Sequence, residues 1–119
     1  MTYGKQVQDE LRGPARELRR LIPDVYAGFG RMHDAALADG ALDIKTKELI
    51  AFALAVSQQC DGCIAAHAHA AVVHGATLEE AAETIGVAVL MNGGPATVYG
   101  PRALAAVQEF LAARVPEPA

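Results

Sequence analysis

The sequence predicts an all-α fold of about six helices in a single domain. Three observations carry that expectation. Alanine is the commonest residue, at 25 of 119. There is no Trp, and Phe and Tyr number three each. No stretch between turn signals shows a convincing period of two, whereas apolar residues recur at helical spacing. Small side chains let helices approach closely, while strands favour branched and aromatic residues. A chain of 12.4 kDa is one domain by length. Surface scaling gives roughly 6,100 Å² folded against about 18,000 Å² unfolded, so a core can form without staples.

Residues 5–20 read as a charged amphipathic helix with Leu11, Leu18 and Leu21 on its apolar side. Gly13-Pro14 is expected to kink or split it. Pro23 suits the first turn of the next helix, which runs to about Ala38 and ends at Asp39-Gly40. Asp43 caps a helix from Ile44 to about Gln58. The next begins around Cys60-Asp61 and runs to His74, with Gly75 as its left-handed stop. Thr77-Leu78-Glu79-Glu80 is a capping box, opening a helix that ends near Met91. Asn92-Gly93-Gly94-Pro95 reads as a loop. The last helix covers about Ala96 to Ala113, with an interruption expected at Gly100-Pro101 and a frayed tail from Val115. No fixed-period repeat and no inter-domain linker is visible.

Composition excludes several function classes. A net charge of −4 argues against electrostatic nucleic-acid binding. Arg12, Arg16, Arg19 and Arg20 cluster, but Asp9, Glu10 and Glu17 interleave with them, which is the pattern of a solvated helix face. No apolar run is long enough to cross a membrane, so no membrane partner is expected. The opening Met-Thr-Tyr-Gly-Lys carries no apolar signal region, and a cytoplasmic setting is expected. Two cysteines are too few for a disulfide scaffold. Redox chemistry, metal binding and plain packing remain as uses for Cys60 and Cys63.

Cys60-Asp61-Gly62-Cys63 is a C-x-x-C, followed by His67. With Cys60 at the origin of a helical wheel, Cys63 falls at about 300° and His67 at about 340°. All three therefore share one face. Cα atoms three apart in a helix are about 5 Å apart, within disulfide reach. Cys60 lies near a helix N-terminus, which favours a thiolate, and His67 is one turn beyond Cys63. Zinc needs a fourth ligand. His69 falls on the opposite face, and His74 lies about 10 Å further along the axis than His67. This geometry favours redox use, with zinc and packing as the alternatives. His69 and His74 read as surface or helix-end residues.

Glu48 stands inside an apolar stripe with Ile44, Ala51, Phe52 and Ala55, flanked by Lys45 and Lys47. A buried carboxylate must find a hydrogen bond or carry a raised pKa, and both suit a general base. The alternative is a glutamate that reaches the helix edge and pairs with a lysine.

Glu48, Cys60, Cys63 and His67 together read Glu-x11-Cys-x2-Cys-x3-His. This pattern resembles the signature of the carboxymuconolactone decarboxylase-like superfamily, in its AhpD-like alkylhydroperoxidase branch. The Gly93-Gly94-Pro95-Ala96 segment after an Ala-rich helix is similar to that family as well. The resemblance spans about residues 20–113 of a single domain over 1–119. It implies the AhpD-like helical fold and reduction of hydrogen peroxide or organic hydroperoxides. By resemblance, Cys63 matches the peroxidatic cysteine, Cys60 the resolving one, and Glu48 with His67 the proton relay. The resemblance implies no metal and no other cofactor. It implies a protein or small-dithiol reductant and homo-oligomers, either trimers or hexamers. Val87, Val89, Leu90, Met91 and the 93–99 segment are candidates for such an interface, with intrachain core as the other reading. One departure stands out: the AhpD archetype has a second relay histidine between its cysteines, where this chain has Gly62. A decarboxylase-like member acting on a lactone or carboxylic acid is the alternative function, and a redox-sensing binding module another.

Overall fold

The structure is a computed structural model and describes residues 2–114. Those residues form six helices and no strand: α1 (Lys5–Leu21), α2 (Pro23–Leu37), α3 (Ile44–Ser57), α4 (Asp61–Val73), α5 (Leu78–Asn92) and α6 (Gly94–Arg114). The all-α expectation and the six-helix count hold. The tail from Val115 lies outside the described residues.

Local hydrogen bonding explains most of the boundaries. Asp43 caps α3 by accepting from the Thr46 N–H at 2.8 Å. Thr77 and Glu80 exchange both bonds of the capping box at the start of α5, at 2.9 and 3.1 Å. Pro23 stands in the first turn of α2, where its missing N–H has no intrahelical acceptor to lose. At the end of α4, Gly75 has φ +91°. The N–H groups of Gly75 and Ala76 close on the carbonyls of Val72 and Ala71 in a Schellman motif.

Three expectations about glycine and proline are corrected. α1 runs unbroken through Pro14, and α6 through Pro101. Each proline frees one carbonyl four residues earlier, on Glu10 and Thr97, and both residues are exposed, so water is in reach of them. The expected loop at Asn92–Pro95 shrinks to Gly93 alone, at φ +66°. Pro95 enters the first turn of α6, where an N–H is not needed.

The core is built from α3, α4, α5 and α6. Phe52, Val56, Ile64 and Val107 are its largest fully buried side chains. Among the described residues, ten of the sixteen buried apolar side chains are alanines, so the backbones lie close together. Gly100 shows how close: a Cβ there would stand 2.8 Å from Ile85 Cγ2 of α5. The alanine excess is therefore a packing requirement of this bundle.

α1 and α2 are attached differently, since neither buries a residue. The apolar side expected for α1 does not enter the core: Leu11, Leu18 and Leu21 are all exposed. The N-terminus of α1 is capped from a distance, where the Lys5 N–H donates to Glu109 Oε1 of α6 at 2.9 Å. Its outer surface is laced with Lys5–Asp9, Arg12–Asp9 and Arg20–Glu17 pairs, the solvated face that the charge pattern suggested.

Candidate functional site

The link between α3 and α4 builds the site. Helix α3 ends in a Schellman motif, with the Cys60 N–H closing on the Ala55 carbonyl at 3.2 Å and the Gln59 N–H on Val56 at 3.1 Å. Gln59 occupies the left-handed position at φ +56°, where a glycine is usual. The residue that completes this stop is Cys60, and Cys60 is also the N-cap of α4. Two helices thus meet with no slack between them, which fixes the first cysteine against the end of α3.

Cys60 and Cys63 are joined in a disulfide, with Cα atoms 5.2 Å apart. Cys60 Sγ also accepts from the Cys63 N–H at 3.2 Å, in the manner of a capping oxygen. An N–H aimed at a sulfur at a helix N-terminus favours the thiolate when the bridge is open. Cys63 packs half-buried against the core, while Cys60 is half-buried at its edge.

Glu48 lies on α3 and is 2% exposed. Its Oε2 is 2.7 Å from His67 Nδ1 on α4. A carboxylate only accepts, so Nδ1–H donates to Glu48 and Nε2 is left as the free acceptor of the ring. His67 keeps 23% of its side chain exposed, so the ring spans from the core to the surface. The lysine-paired alternative for Glu48 does not occur. Lys45 pairs with Glu80 of α5 at 2.9 Å, and Lys47 donates to the Ala38 carbonyl. No fully buried side-chain polar atom among the described residues lacks a partner, and the one recorded for the Glu48 carboxylate is His67.

The geometry therefore brings all four sequence candidates to one place. Cys60 caps α4, Cys63 and His67 lie on its first two turns, and Glu48 reaches His67 from α3. One helical turn separates Cys63 from His67, which puts their Cβ atoms about 6 Å apart. Such a set can hold a proton near a sulfur and can open or close a two-electron bond. His69 and His74 stay apart from it: His69 stacks on Phe110 at 4.7 Å, and His74 ends α4.

Two neighbours of the cysteines were not legible in the sequence. Arg102 of α6 pairs with the Asp61 carboxylate between the cysteines, at 3.1 and 3.5 Å. Its guanidinium lies over the rings of Tyr3 and Tyr99, 5.1 and 4.6 Å from their centroids. Leu11 of α1 covers Gly62, and a Cβ at that position would meet Leu11 Cδ1 at 3.1 Å. A side chain at position 62 would require the tip of Leu11, which is half exposed, to shift by a few tenths of an ångström.

Comparisons with known proteins agree with this architecture. The family model described as "Carboxymuconolactone decarboxylase family" matches residues 23–109. An uncharacterised protein of Cupriavidus necator is 42% identical over 83 residues, 70% of this chain and 74% of the relative. An uncharacterised protein of the cox locus of Paracoccus denitrificans is 43% identical over 94 residues, 79% of this chain and 85% of the relative. The crystal structure of a carboxymuconolactone decarboxylase family protein from Legionella pneumophila superposes with a TM-score of 0.85 at 46% identity, covering 88% of this chain and 94% of that one. With the family model spanning most of the bundle and these relatives aligning over most of their own lengths, the chain belongs to the carboxymuconolactone decarboxylase family.

Proposed function

We propose that the protein is a thiol-dependent peroxidase of the AhpD-like type. The observation that carries the reading is the Glu48–His67 hydrogen bond, made one turn from Cys63 within a C-x-x-C pair that forms a disulfide. His67 Nε2 takes the proton of Cys63, and the Cys63 thiolate attacks one oxygen of the hydroperoxide. The O–O bond breaks, Cys63 becomes a sulfenic acid, and the leaving alkoxide takes the proton held on His67 and departs as an alcohol, or as water from hydrogen peroxide. Cys60 sulfur then displaces the sulfenic hydroxyl, forming the disulfide and releasing water. The Cys63 N–H on Cys60 Sγ favours the thiolate that this second step needs. A dithiol, either a small molecule or a protein, returns both cysteines to thiols and is itself oxidised to a disulfide.

The family description favours a second reading, in which Glu48 and His67 serve as base and acid on a lactone or carboxylic acid. Cysteine substitution separates the two. In the peroxidase reading, Cys63→Ser abolishes peroxide consumption in stopped-flow with a dithiol donor. In the peroxide-treated wild type, mass spectrometry finds two hydrogens lost, confined to the peptide holding Cys60 and Cys63. Wild-type consumption by Cys63→Ser would refute the peroxidase. Turnover of a lactone or acid by a Cys60→Ser/Cys63→Ser double variant would establish the second reading.

The proposed assembly is with further copies of the same chain. Val25, Phe29 and Met32 of α2 are 64%, 59% and 62% exposed. Val25 and Phe29, with Leu18, Ile22 and Tyr26, surround an apolar groove of about 390 Å³. Val87, Leu90, Met91 and Val98 form further exposed apolar surface, whereas Val89 packs onto the core.

A further inference from the structure

We propose that Arg102 is a positioning residue for the redox turn: acting on Asp61, it cancels the negative charge that the C-x-x-C motif itself carries between its two sulfurs. The inference rests on the peroxidase reading for its meaning, because the thiolate concerned is that reading's nucleophile.

Asp61 opens α4, directly after Cys60 and two residues before Cys63. A carboxylate in that position stabilises the helix start through the dipole. It also opposes a thiolate on either sulfur, because like charges at short range disfavour one another. The chain therefore places one favourable and one unfavourable feature on the same turn. Arg102 resolves the conflict from α6. Its Nη1 is 3.1 Å from Asp61 Oδ2, and its guanidinium lies over the rings of Tyr3 and Tyr99. A guanidinium stacked on two rings is preorganised, so little freedom is lost when it pairs.

Every element packed against the turn contributes a known group. On α4 these are Asp61 and His67, and from α3 comes Glu48, bonded to His67. From α6 comes Arg102, with Tyr99 beside it. The segment before α1 brings Tyr3, and α1 itself presents the apolar Leu11. Arg102 is the one cation of fixed charge in this set, so its removal changes the local balance in a single direction. The Asp61–Arg102 pair is about one-third exposed, at 40% and 32% for the two side chains, and solvent screens it. A unit charge at about 8 Å in a dielectric of about 40 changes the thiolate fraction on the order of fivefold.

The test uses the full-length reduced protein and no peroxide. The pH profile of iodoacetamide alkylation is read separately at Cys60 and Cys63 by mass spectrometry. Arg102→Met is expected to slow alkylation at pH 7 on the order of fivefold, by moving the profile to higher pH. Asp61→Asn is expected to move it to lower pH. The double variant Arg102→Met/Asp61→Asn is expected to return within about threefold of wild type, and Arg102→Lys to stay close to it. A merely structural role predicts a double variant at least as slow as Arg102→Met, and that result overturns the proposal. Should Arg102→Met lose its helical signal, Asp61→Asn decides alone, and an unshifted profile overturns the proposal. A failure of the peroxidase reading shows separately, as wild-type protein that alkylates normally and consumes no hydroperoxide.

Discussion

Replacing Glu48 by Gln changes one atom and leaves the volume of a buried side chain almost untouched. Glu48 is 2% exposed and bonds His67 Nδ1 at 2.7 Å. The Gln amide oxygen can still accept from Nδ1–H, so the ring keeps its tautomer. What is lost is the charge on the acceptor. Charge-assisted bonds are worth about 1.5 to 3 kcal/mol and neutral ones about 0.5 to 1.5, so the imidazolium form of His67 loses roughly 1 to 1.5 kcal/mol of support. That is about tenfold in any step in which His67 gains a proton. Stability should move the other way or hardly at all, because the buried charge carries a desolvation cost that the amide does not. Glu48→Gln is thus expected to lower single-turnover reduction of an organic hydroperoxide about tenfold, with the unfolding free energy within about 1 kcal/mol of wild type. His67→Gln, which removes the base itself, is expected to cost between about 10² and 10⁴. Stopped-flow on pre-reduced protein and a denaturant melt supply the two numbers. A Glu48→Gln protein with the wild-type rate, or one whose rate loss tracks a loss of stability, would refute the relay.

Other predictions follow from the same contacts. Gln59→Gly relieves a left-handed non-glycine residue at φ +56° and should stabilise the fold by about 0.5 to 1 kcal/mol, read as a rise in melting temperature without loss of thiol reactivity. Lys45 donates to Glu80 and, with the Thr77 N–H, holds that carboxyl below its ordinary value of 4.5, while Glu80 holds Lys45 above 10.5. The pair's contribution is therefore complete between those two values, is lost as pH falls below 4.5 toward the folded value, and is lost again as pH rises beyond 10.5. Melts of wild type and Glu80→Gln should converge in acid, and high salt should also narrow their difference, since the two side chains keep 33% and 35% of their surface in water. Phe29→Glu introduces a charge into the apolar groove of α2 without touching the core, so sedimentation should show a smaller species with unchanged helix content.

What was legible in the sequence is what local hydrogen bonding decides. Asp43, Thr77 and Gly75 each act within four residues of themselves, and their caps lie where the spacing predicted. The shared face of Cys60, Cys63 and His67 follows from helical period alone, and so did the clash between a carboxylate at position 48 and its apolar stripe. Whether a proline breaks a helix was not decided locally. Pro14 and Pro101 are tolerated because the residues whose carbonyls they free are exposed, and exposure is a property of the whole fold. The loop expected at Asn92–Pro95 closed to one residue for a related reason, since α5 and α6 pack tightly enough at Gly100 and Ile85 to hold a sharp corner.

Composition, period and capping residues establish that this chain is helical and where most helices begin and end, and spacing singles out four side chains as the candidate site. The tertiary structure decided which partners those side chains found. Nineteen residues separate Glu48 from His67, and forty-one separate Asp61 from Arg102. No period relates such distances, because they are set by how α3, α4 and α6 pack. The same packing left α1 and α2 with no buried residue and an apolar face turned outward. An amphipathic pattern states that a face will be covered, and only the assembled bundle shows that its own core does not cover it.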